Sequence, residues 1–140
     1  MKIHTTNYQN VFIKIAEDCP TTKGEIPPVK NNVKTAANIQ FEMLSGNPYK
    51  FTSDDVLFHV FVNKNNIPET EHVKAREQFF SKAQPCFRAS SLTKRYGWGI
   101  HSNNDEKIAI YGCETEEYKQ LLNDKNLKVV RAMRTGKKMR

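Results

Sequence analysis

Several features that would assign this chain to a familiar class of protein are missing from its sequence. No apolar run approaches the roughly 18 to 20 residues that a membrane-spanning helix needs, and the N-terminus lacks the apolar stretch of a secretory signal. The three cysteines, Cys19, Cys86 and Cys113, are widely spaced and form no CxxC pair, which argues against a disulfide framework and a zinc knuckle. We therefore expect a cytoplasmic protein with free, reduced thiols and no membrane partner.

The signatures of nucleotide-binding and hydrolytic sites are missing as well. There is no Walker loop, no GxGxxG and no GxSxG pattern. The four histidines and the carboxylates show no metal-ligand spacing such as HExxH. The sequence therefore predicts no metal ion and no cofactor, and it leaves open whether the chain is an enzyme.

Acidic residues are missing from the C-terminal end. From Lys128 onward the chain has six basic residues and no acidic one, which leaves 16 basic and 15 acidic residues before that point. Most of the net charge of +7 therefore belongs to this end, and we predict a basic, flexible tail at residues 135–140. Nucleic-acid binding through the tail is one alternative function, because Lys and Arg attract phosphates in a salt-dependent way.

Length and composition predict one ordinary domain. A chain of 140 residues can bury roughly two-thirds of the surface that its unfolded form exposes, so one hydrophobic core is enough. No Pro-, Gly- or Ser-rich tract resembles a linker, and no internal repeat is visible. We predict a single globular domain over residues 1–134.

Hydrophobic periodicity and turn residues predict an α+β fold. Alternating segments predict a first strand in residues 10–16, a hairpin near 95–113 and a last strand in 127–134. Helical spacing, caps and charges predict helices within residues 33–48, 51–66, 67–82 and 115–124. We expect a small, mostly antiparallel sheet of about four strands, with about four helices packed on one face.

Two of these helices carry N-terminal signals. Thr52 or Ser53 is a candidate N-cap, and Asp54 follows where the helix dipole favours an acid. Thr115 is the candidate N-cap of the last helix. His59 lies in the apolar segment VLFHVFV, and we expect it to be a neutral, hydrogen-bonded core histidine.

The stretch YGWGIH sets two glycines around the only tryptophan. Alternate residues of a strand face opposite ways, so one face carries the large side chains of Tyr96, Trp98 and Ile100. The other face carries only Gly97, Gly99 and His101. Two glycines at alternate positions indicate either the close approach of another segment or the open floor of a shallow pocket.

Positive charge gathers around this strand. No acidic residue occurs from Gln84 through Asn104, and a positive field over a glycine floor suits a carboxylate, a phosphate or a nucleotide. Our main hypothesis is a module that binds an anionic small molecule or an anionic partner. Its candidate contacts are Arg88, Lys94, Arg95, Tyr96, Trp98 and His101.

Cysteine chemistry gives a further alternative. Cys86 lies near Arg88 in QPCFR, and a nearby cation or histidine can make a thiol nucleophilic. An enzyme of this kind uses Cys86 as nucleophile and His101 or His59 as base. The competing interpretation is a buried, structural cysteine.

Several stretches together resemble one family: HTTNY, AEDCP with the GEIPP that follows, FTSDDVLFHVF, FFSKAQPCFRASSLTKRYGWGIHSN, KIAIYG and VVRAMR. They resemble small bacterial proteins of domain of unknown function family 6157, over nearly the whole chain from His4 to Arg134. The resemblance implies a single cytoplasmic bacterial domain with no assigned activity. The family tends to read RASPLTKRYGWGIH, and this chain has Ser91 in place of the proline.

Overall fold

A computed structural model describes residues 3–134, which form four strands and five α-helices. The strands are β1 (Val11–Lys14), β2 (Trp98–Ser102), β3 (Ile108–Gly112) and β4 (Lys128–Arg131). The α-helices are α1 (Ala36–Leu44), α2 (Ser53–Asn65), α3 (His72–Phe79), α4 (Ser91–Lys94) and α5 (Glu116–Leu122). No helix within residues 3–134 combines the length and the apolarity that crossing a membrane requires. The predicted basic tail at 135–140 lies outside the described residues.

The four strands form one sheet in the order β3-β2-β1-β4. Both β1 with β2 and β2 with β3 pair antiparallel, whereas β4 pairs parallel with β1. The predicted α+β fold and its mostly antiparallel sheet are therefore confirmed. The predicted hairpin is β2 with β3, and its turn is fixed by Asn103, whose Oδ1 accepts from the backbone N–H groups of Asp105 (2.9 Å) and Lys107 (3.0 Å).

Helices cover both faces of this sheet, so the expectation of one covered face is wrong. Ile13 and Ile100 face the main core, which helices α1, α2 and α4 complete. Phe12 points the other way and packs edge-on against Tyr118 of α5, with ring centroids 5.1 Å apart. Helix α5 joins β3 at one edge of the sheet to β4 at the other, so it must cross the face that the other helices leave open.

The expectation that His59 belongs to the core is also wrong. Its side chain is exposed on α2, and its Nε2 lies 3.0 Å from Nδ2 of Asn63 on the same helix. Successive residues of a helix point about 100° apart, so the apolar neighbours of His59 in the sequence are not its neighbours in space. Phe58 is buried, whereas Val60 on the other side of His59 is only partly buried.

Both predicted N-caps are confirmed. Thr52 Oγ1 accepts from the Asp55 N–H at 3.1 Å, while the Asp55 carboxylate accepts from the Thr52 N–H at 3.0 Å. Thr115 Oγ1 accepts from the Tyr118 N–H at 3.2 Å. Such caps satisfy N–H groups that a helix leaves without partners in its first turn.

The buried carboxylate of Asp54 fastens the N-terminal segment to the start of α2. Its Oδ1 accepts from the Thr6 N–H at 2.7 Å and from Thr6 Oγ1 at 2.6 Å, and its Oδ2 accepts from Thr5 Oγ1 at 2.6 Å. In return, Asn7 Oδ1 accepts from the Asp54 N–H at 2.9 Å. HTTNY and TSDD, which are far apart in the sequence, are therefore two halves of one contact.

Gly97 is required because another segment crosses directly over it. Its φ of +79° is a conformation that residues with a side chain rarely adopt, and an added Cβ would overlap the Lys23 carbonyl oxygen. That Cβ would also lie 2.6 Å from Thr21 Oγ1. The crossing segment is held by the Glu25 N–H, which donates to the Tyr96 carbonyl at 2.8 Å.

Gly99 is covered by aromatic rings. A Cβ there would lie 2.5 Å from the Phe12 ring and 2.7 Å from the Tyr118 ring. The space over both glycines is therefore filled, and the interpretation of Gly97 and Gly99 as an open pocket floor is wrong. The close approach of other segments is the interpretation that holds.

We expect Asp54→Ala to lower the free energy of unfolding by about 2 to 4 kcal/mol, measured by urea denaturation. The substitution leaves the buried Thr6 N–H without its acceptor, which costs about 1 to 3 kcal/mol. It also removes the bonds of the Thr5 and Thr6 hydroxyls to the carboxylate, while the Thr6 hydroxyl keeps its contact with Ser53 Oγ at 2.8 Å. Asp105→Ala is the matched control in the exposed β2–β3 turn and should change the value by less than about 0.5 kcal/mol. Equal losses in the two variants would contradict this role of Asp54.

We expect Gly97→Ala to destabilise the protein by about 2 kcal/mol more than Gly46→Ala, measured by the same method. The two glycines share a positive φ, +79° and +80°, so the backbone strain is matched. Nothing lies within 4 Å of an added Cβ at Gly46, whereas at Gly97 it meets the backbone of Lys23. Similar losses at both positions would show that conformation alone, without packing, selects glycine at 97.

Candidate functional site

The residues predicted to bind an anion lie on both faces of the sheet. Trp98 packs against Phe41 of α1, with ring centroids 5.4 Å apart, and its Nε1–H donates to the Glu25 carbonyl at 2.8 Å. His101, three positions along β2, points to the opposite face and contacts Tyr49. Trp98 and His101 therefore do not line one pocket.

The other four candidates lie at and before the start of β2. Arg88 donates from Nε to the Arg131 carbonyl at 2.8 Å and so holds the end of β4. Lys94 ends α4, Arg95 is exposed just after it, and Tyr96 packs against the core. Anion binding by Arg88, Lys94 and Arg95 stays a prediction.

His101 belongs to a hydrogen-bonded network with two tyrosines. The Tyr49 hydroxyl lies 2.7 Å from His101 Nδ1 and 2.8 Å from the Tyr111 hydroxyl. Burial, then the hydrogen bond with Tyr111, raises the pKa of Tyr49 well above its usual value, so this hydroxyl stays protonated. Burial lowers the pKa of His101, although Asp124 opposes that effect. A neutral imidazole that accepts the Tyr49 proton fits both directions.

The side chains around His101 do not form a metal-binding site within the described residues. No group of three or more His, Cys, Asp or Glu side chains within residues 3–134 is arranged to hold a metal ion.

Tyr49 has a φ of +59°, which is rare for a large side chain, and its N–H donates to the Ile108 carbonyl at 2.9 Å. The two hydroxyl contacts and this backbone bond together hold Tyr49 in that conformation.

A cleft of about 380 Å³ opens between α1, α2 and residues 84–91, and we call it the α1–α2 cleft. Its volume lies within the roughly 300 to 1,000 Å³ of typical small-ligand sites. Helical spacing brings residues of both helices to it, since positions three and four apart share a face. Most of the lining is apolar: Ala36 and Ala37 of α1, Leu57, Val60 and Phe61 of α2, and Phe79, Pro85 and Ala89.

Gln40 presents a hydrogen-bond donor to this cleft. Its side chain is only 5% exposed, and its Oε1 accepts from the Ser90 hydroxyl at 2.6 Å. The Ser90 hydroxyl thus donates to Gln40 Oε1 and accepts from the Leu92 N–H at 3.1 Å, and the first of these bonds orients the carboxamide. The amide nitrogen of Gln40 has no hydrogen-bond partner within residues 3–134.

That nitrogen has access to the protein surface. Every fully buried side-chain nitrogen or oxygen of the described chain has a hydrogen-bond partner. The unpartnered nitrogen of Gln40 is therefore not fully buried, and the α1–α2 cleft is a surface that Gln40 lines. Such a donor bonds either water or an acceptor that enters the cleft.

The charge around the cleft has one sign. Lys64, in the last turn of α2, lies at its rim, and none of the described residues that line it is acidic. Ser91 and Gln84 add further polar groups to the lining. The arrangement can accept a ligand with an apolar body and an oxygen-rich, negatively charged end.

Cys86 also lines the cleft, and its neighbour is a tyrosine. Its Sγ lies 3.5 Å from the Tyr8 hydroxyl. His101 instead bonds Tyr49 on the other face of the sheet, and His59 bonds Asn63 on α2. Neither histidine is therefore placed to act as a base for Cys86.

Sequence reasoning missed Gln40, Tyr8, Tyr49 and Tyr111. Gln40 carried a usable signal, because it falls four residues after Ala36 and four before Leu44, on the apolar face of a predicted helix. A polar residue at such a position requires a partner in the fold. The tyrosines gave no comparable signal, since aromatic residues are ordinary members of a core.

Comparison with known proteins gives one match. A family model described as a family of unknown function (DUF6157) matches residues 3–138. No curated protein and no solved structure matches the chain.

We expect the protein to lose stability as the pH falls below about 6.5, the ordinary pKa of histidine, in part because of His101. Since burial lowers the pKa of His101, the unfolded chain binds more protons than the folded one in this range, and acid favours unfolding. His101→Asn keeps a polar group in place of Nδ1 and should flatten the fall in melting temperature between pH 7.5 and 5.5. His59→Asn on the exposed side of α2 is the matched control. If both variants show the same pH dependence, His101 is not the source.

Proposed function

We propose that this chain, which belongs to the family of unknown function DUF6157, binds a small anionic ligand with an apolar body in the α1–α2 cleft. The ligand class is the one that the sequence predicts, an anionic small molecule. Its place differs, because the glycine-bearing strand is covered by other segments of the chain.

The orientation of the Gln40 carboxamide is the observation that carries this proposal. The Ser90 hydroxyl donates to the carboxamide oxygen of Gln40, and the carboxamide nitrogen is free to donate into the cleft. A carboxylate oxygen of a ligand is a suitable acceptor, because hydrogen bonds to charged groups are stronger than those between neutral groups. The bond forms away from bulk water, where it contributes more than on an open surface.

The remaining lining supports an apolar body with one charged end. Ala36, Ala37 and Ala89 are small and leave space, while Phe61 and Phe79 offer flat aromatic surfaces. Lys64 at the rim supplies a positive charge for the anionic end. Nucleic-acid binding through the basic end stays an alternative, and residues 135–140, on which it mainly depends, lie outside the described residues.

We expect 2-naphthoate to bind in the cleft, with Gln40→Leu weakening its affinity by roughly tenfold or more, which corresponds to about 1.4 kcal/mol. Leucine keeps most of the volume of the side chain and removes the donor, together with the acceptor of the Ser90 hydroxyl. The measurement is isothermal titration calorimetry, with two-dimensional NMR to follow the side-chain amide resonance of Gln40. That resonance should shift on binding.

Two comparisons make this test specific. Gln120→Leu, on the exposed surface of α5, is the matched control and should leave the affinity unchanged. Ala36→Phe, on the same helix face as Gln40, should block the cleft without touching the donor. Equal effects of Gln40→Leu and Gln120→Leu, or equal affinity for 2-naphthoate and the uncharged 2-naphthylmethanol, would overturn the proposal.

A further inference from the structure

We infer that Cys86 is a nucleophile for electrophilic carbonyl compounds of the α,β-unsaturated class that occupy the α1–α2 cleft, with Gln40 as hydrogen-bond donor to their carbonyl oxygen. This inference rests on the proposed function, because it uses the same cleft and the same donor. It adds that α,β-unsaturated carbonyl compounds bound in the cleft form a covalent bond with Cys86.

The backbone brings the sulfur and the donor to one wall of the cleft. Residues Phe87–Ala89 form a single turn, closed by the Ala89 N–H donating to the Cys86 carbonyl at 3.0 Å. Cys86 therefore lies just before this turn, and Ser90, which orients Gln40, lies just after it. The thiol thus lies one turn of chain before the serine that bonds Gln40, and Cys86 and Gln40 both line the cleft.

Tyr8 supplies a proton donor to the sulfur. Its hydroxyl lies 3.5 Å from Cys86 Sγ. The hydrogen bond with Cys86, together with burial, raises the pKa of Tyr8, while Arg88 opposes that rise. Tyr8 is therefore protonated at neutral pH and can donate to a thiolate at this position.

The reaction is a conjugate addition and needs no oxidant or reductant. The Cys86 thiolate forms a carbon–sulfur bond with the β-carbon, and the electron pair of the carbon–carbon double bond moves onto the carbonyl oxygen as an enolate. The Gln40 N–H donates to that oxygen, where the charge develops. The proton that left the thiol returns to the α-carbon, so the product is a neutral thioether.

The other two cysteines are internal controls. All three are free and partly exposed, but only Cys86 lines the cleft. Cys19 Sγ lies 3.6 Å from Thr21 Oγ1. Burial raises the pKa of Cys113 and so reduces its thiolate fraction. A general change in solvent, pH or folding acts on all three, whereas an effect of the cleft acts on Cys86 alone.

The test is labelling of the full chain with N-phenylmaleimide at pH 7, with the modified cysteines identified by peptide mass spectrometry. We expect Cys86 to react about tenfold or more faster than Cys113, and 2-naphthoate to protect Cys86 but not Cys113. Gln40→Leu should slow the maleimide reaction at Cys86 several-fold. It should leave the reaction with 2,2′-dithiodipyridine, which has no carbonyl group, unchanged. Tyr8→Phe should slow both reactions at Cys86.

The outcomes separate this inference from the proposed function. If Cys86 reacts no faster than Cys113 while 2-naphthoate still binds with the Gln40 dependence described above, covalent capture is wrong and the binding site stands. If Cys86 reacts no faster than Cys113 and 2-naphthoate does not bind, both the covalent capture and the proposed binding site are wrong. Rapid labelling of Cys86 that Gln40→Leu slows equally for maleimide and for the disulfide reagent would overturn the role of Gln40. Should Gln40→Leu fail to fold, protection of Cys86 by 2-naphthoate in the unaltered chain decides.

Discussion

The bonds between the Asp54 carboxylate and the threonines of the N-terminal segment fix how the chain enters its sheet. The described residues before β1, 3–10, form no helix or strand, so their position depends on these bonds and on the backbone bonds that His4 and Asn10 donate to the Phe80 and Asn103 carbonyls. Tyr8 follows immediately, reaches the Cys86 sulfur, and leads into β1 at the centre of the sheet. A single acid at the start of α2 therefore helps to position both the strand β1 and the tyrosine beside the thiol in the cleft.

The residues that pack around β2 and the residues that line the proposed binding cleft lie in different parts of the molecule. The glycines at the start of β2 serve packing, since the segment around Lys23 lies against Gly97 and the rings of Phe12 and Tyr118 lie against Gly99. The cleft instead lies among helices, where Gln40 interrupts an apolar face and Ser90 holds it in one orientation. An apolar residue at position 40 would leave the buried Ser90 hydroxyl without its acceptor. The carboxamide satisfies that hydroxyl with its oxygen and keeps its nitrogen for water or a ligand in the cleft.

Local signals explain which features could be predicted. Alternation predicts the strands, and Thr52 and Thr115 predict two helix starts, because these properties depend on residues close in sequence. The glycines of β2 indicate a close approach, but not that the segment from Thr21 to Lys23 makes it. The expected place of His59 and the one-sided arrangement of helices are wrong because both depend on how elements pack. Ser91, which stands where the family tends to have proline, is the first residue of α4, a position that favours proline. Ser90 caps the helix, so serine and proline at position 91 are both compatible with this turn.

The strand order also bears on how the molecule folds. Strand β1 lies in the middle of the sheet, but Ile13 pairs with Ile100 on one side and Val11 pairs with Lys128 on the other. The first strand to leave the ribosome must wait for partners that are made much later, and such distant pairings slow folding. Until then the apolar residues of β1 have no sheet to enter. A chaperone that shields β1 during synthesis would protect the strand that stays unpaired for the longest time.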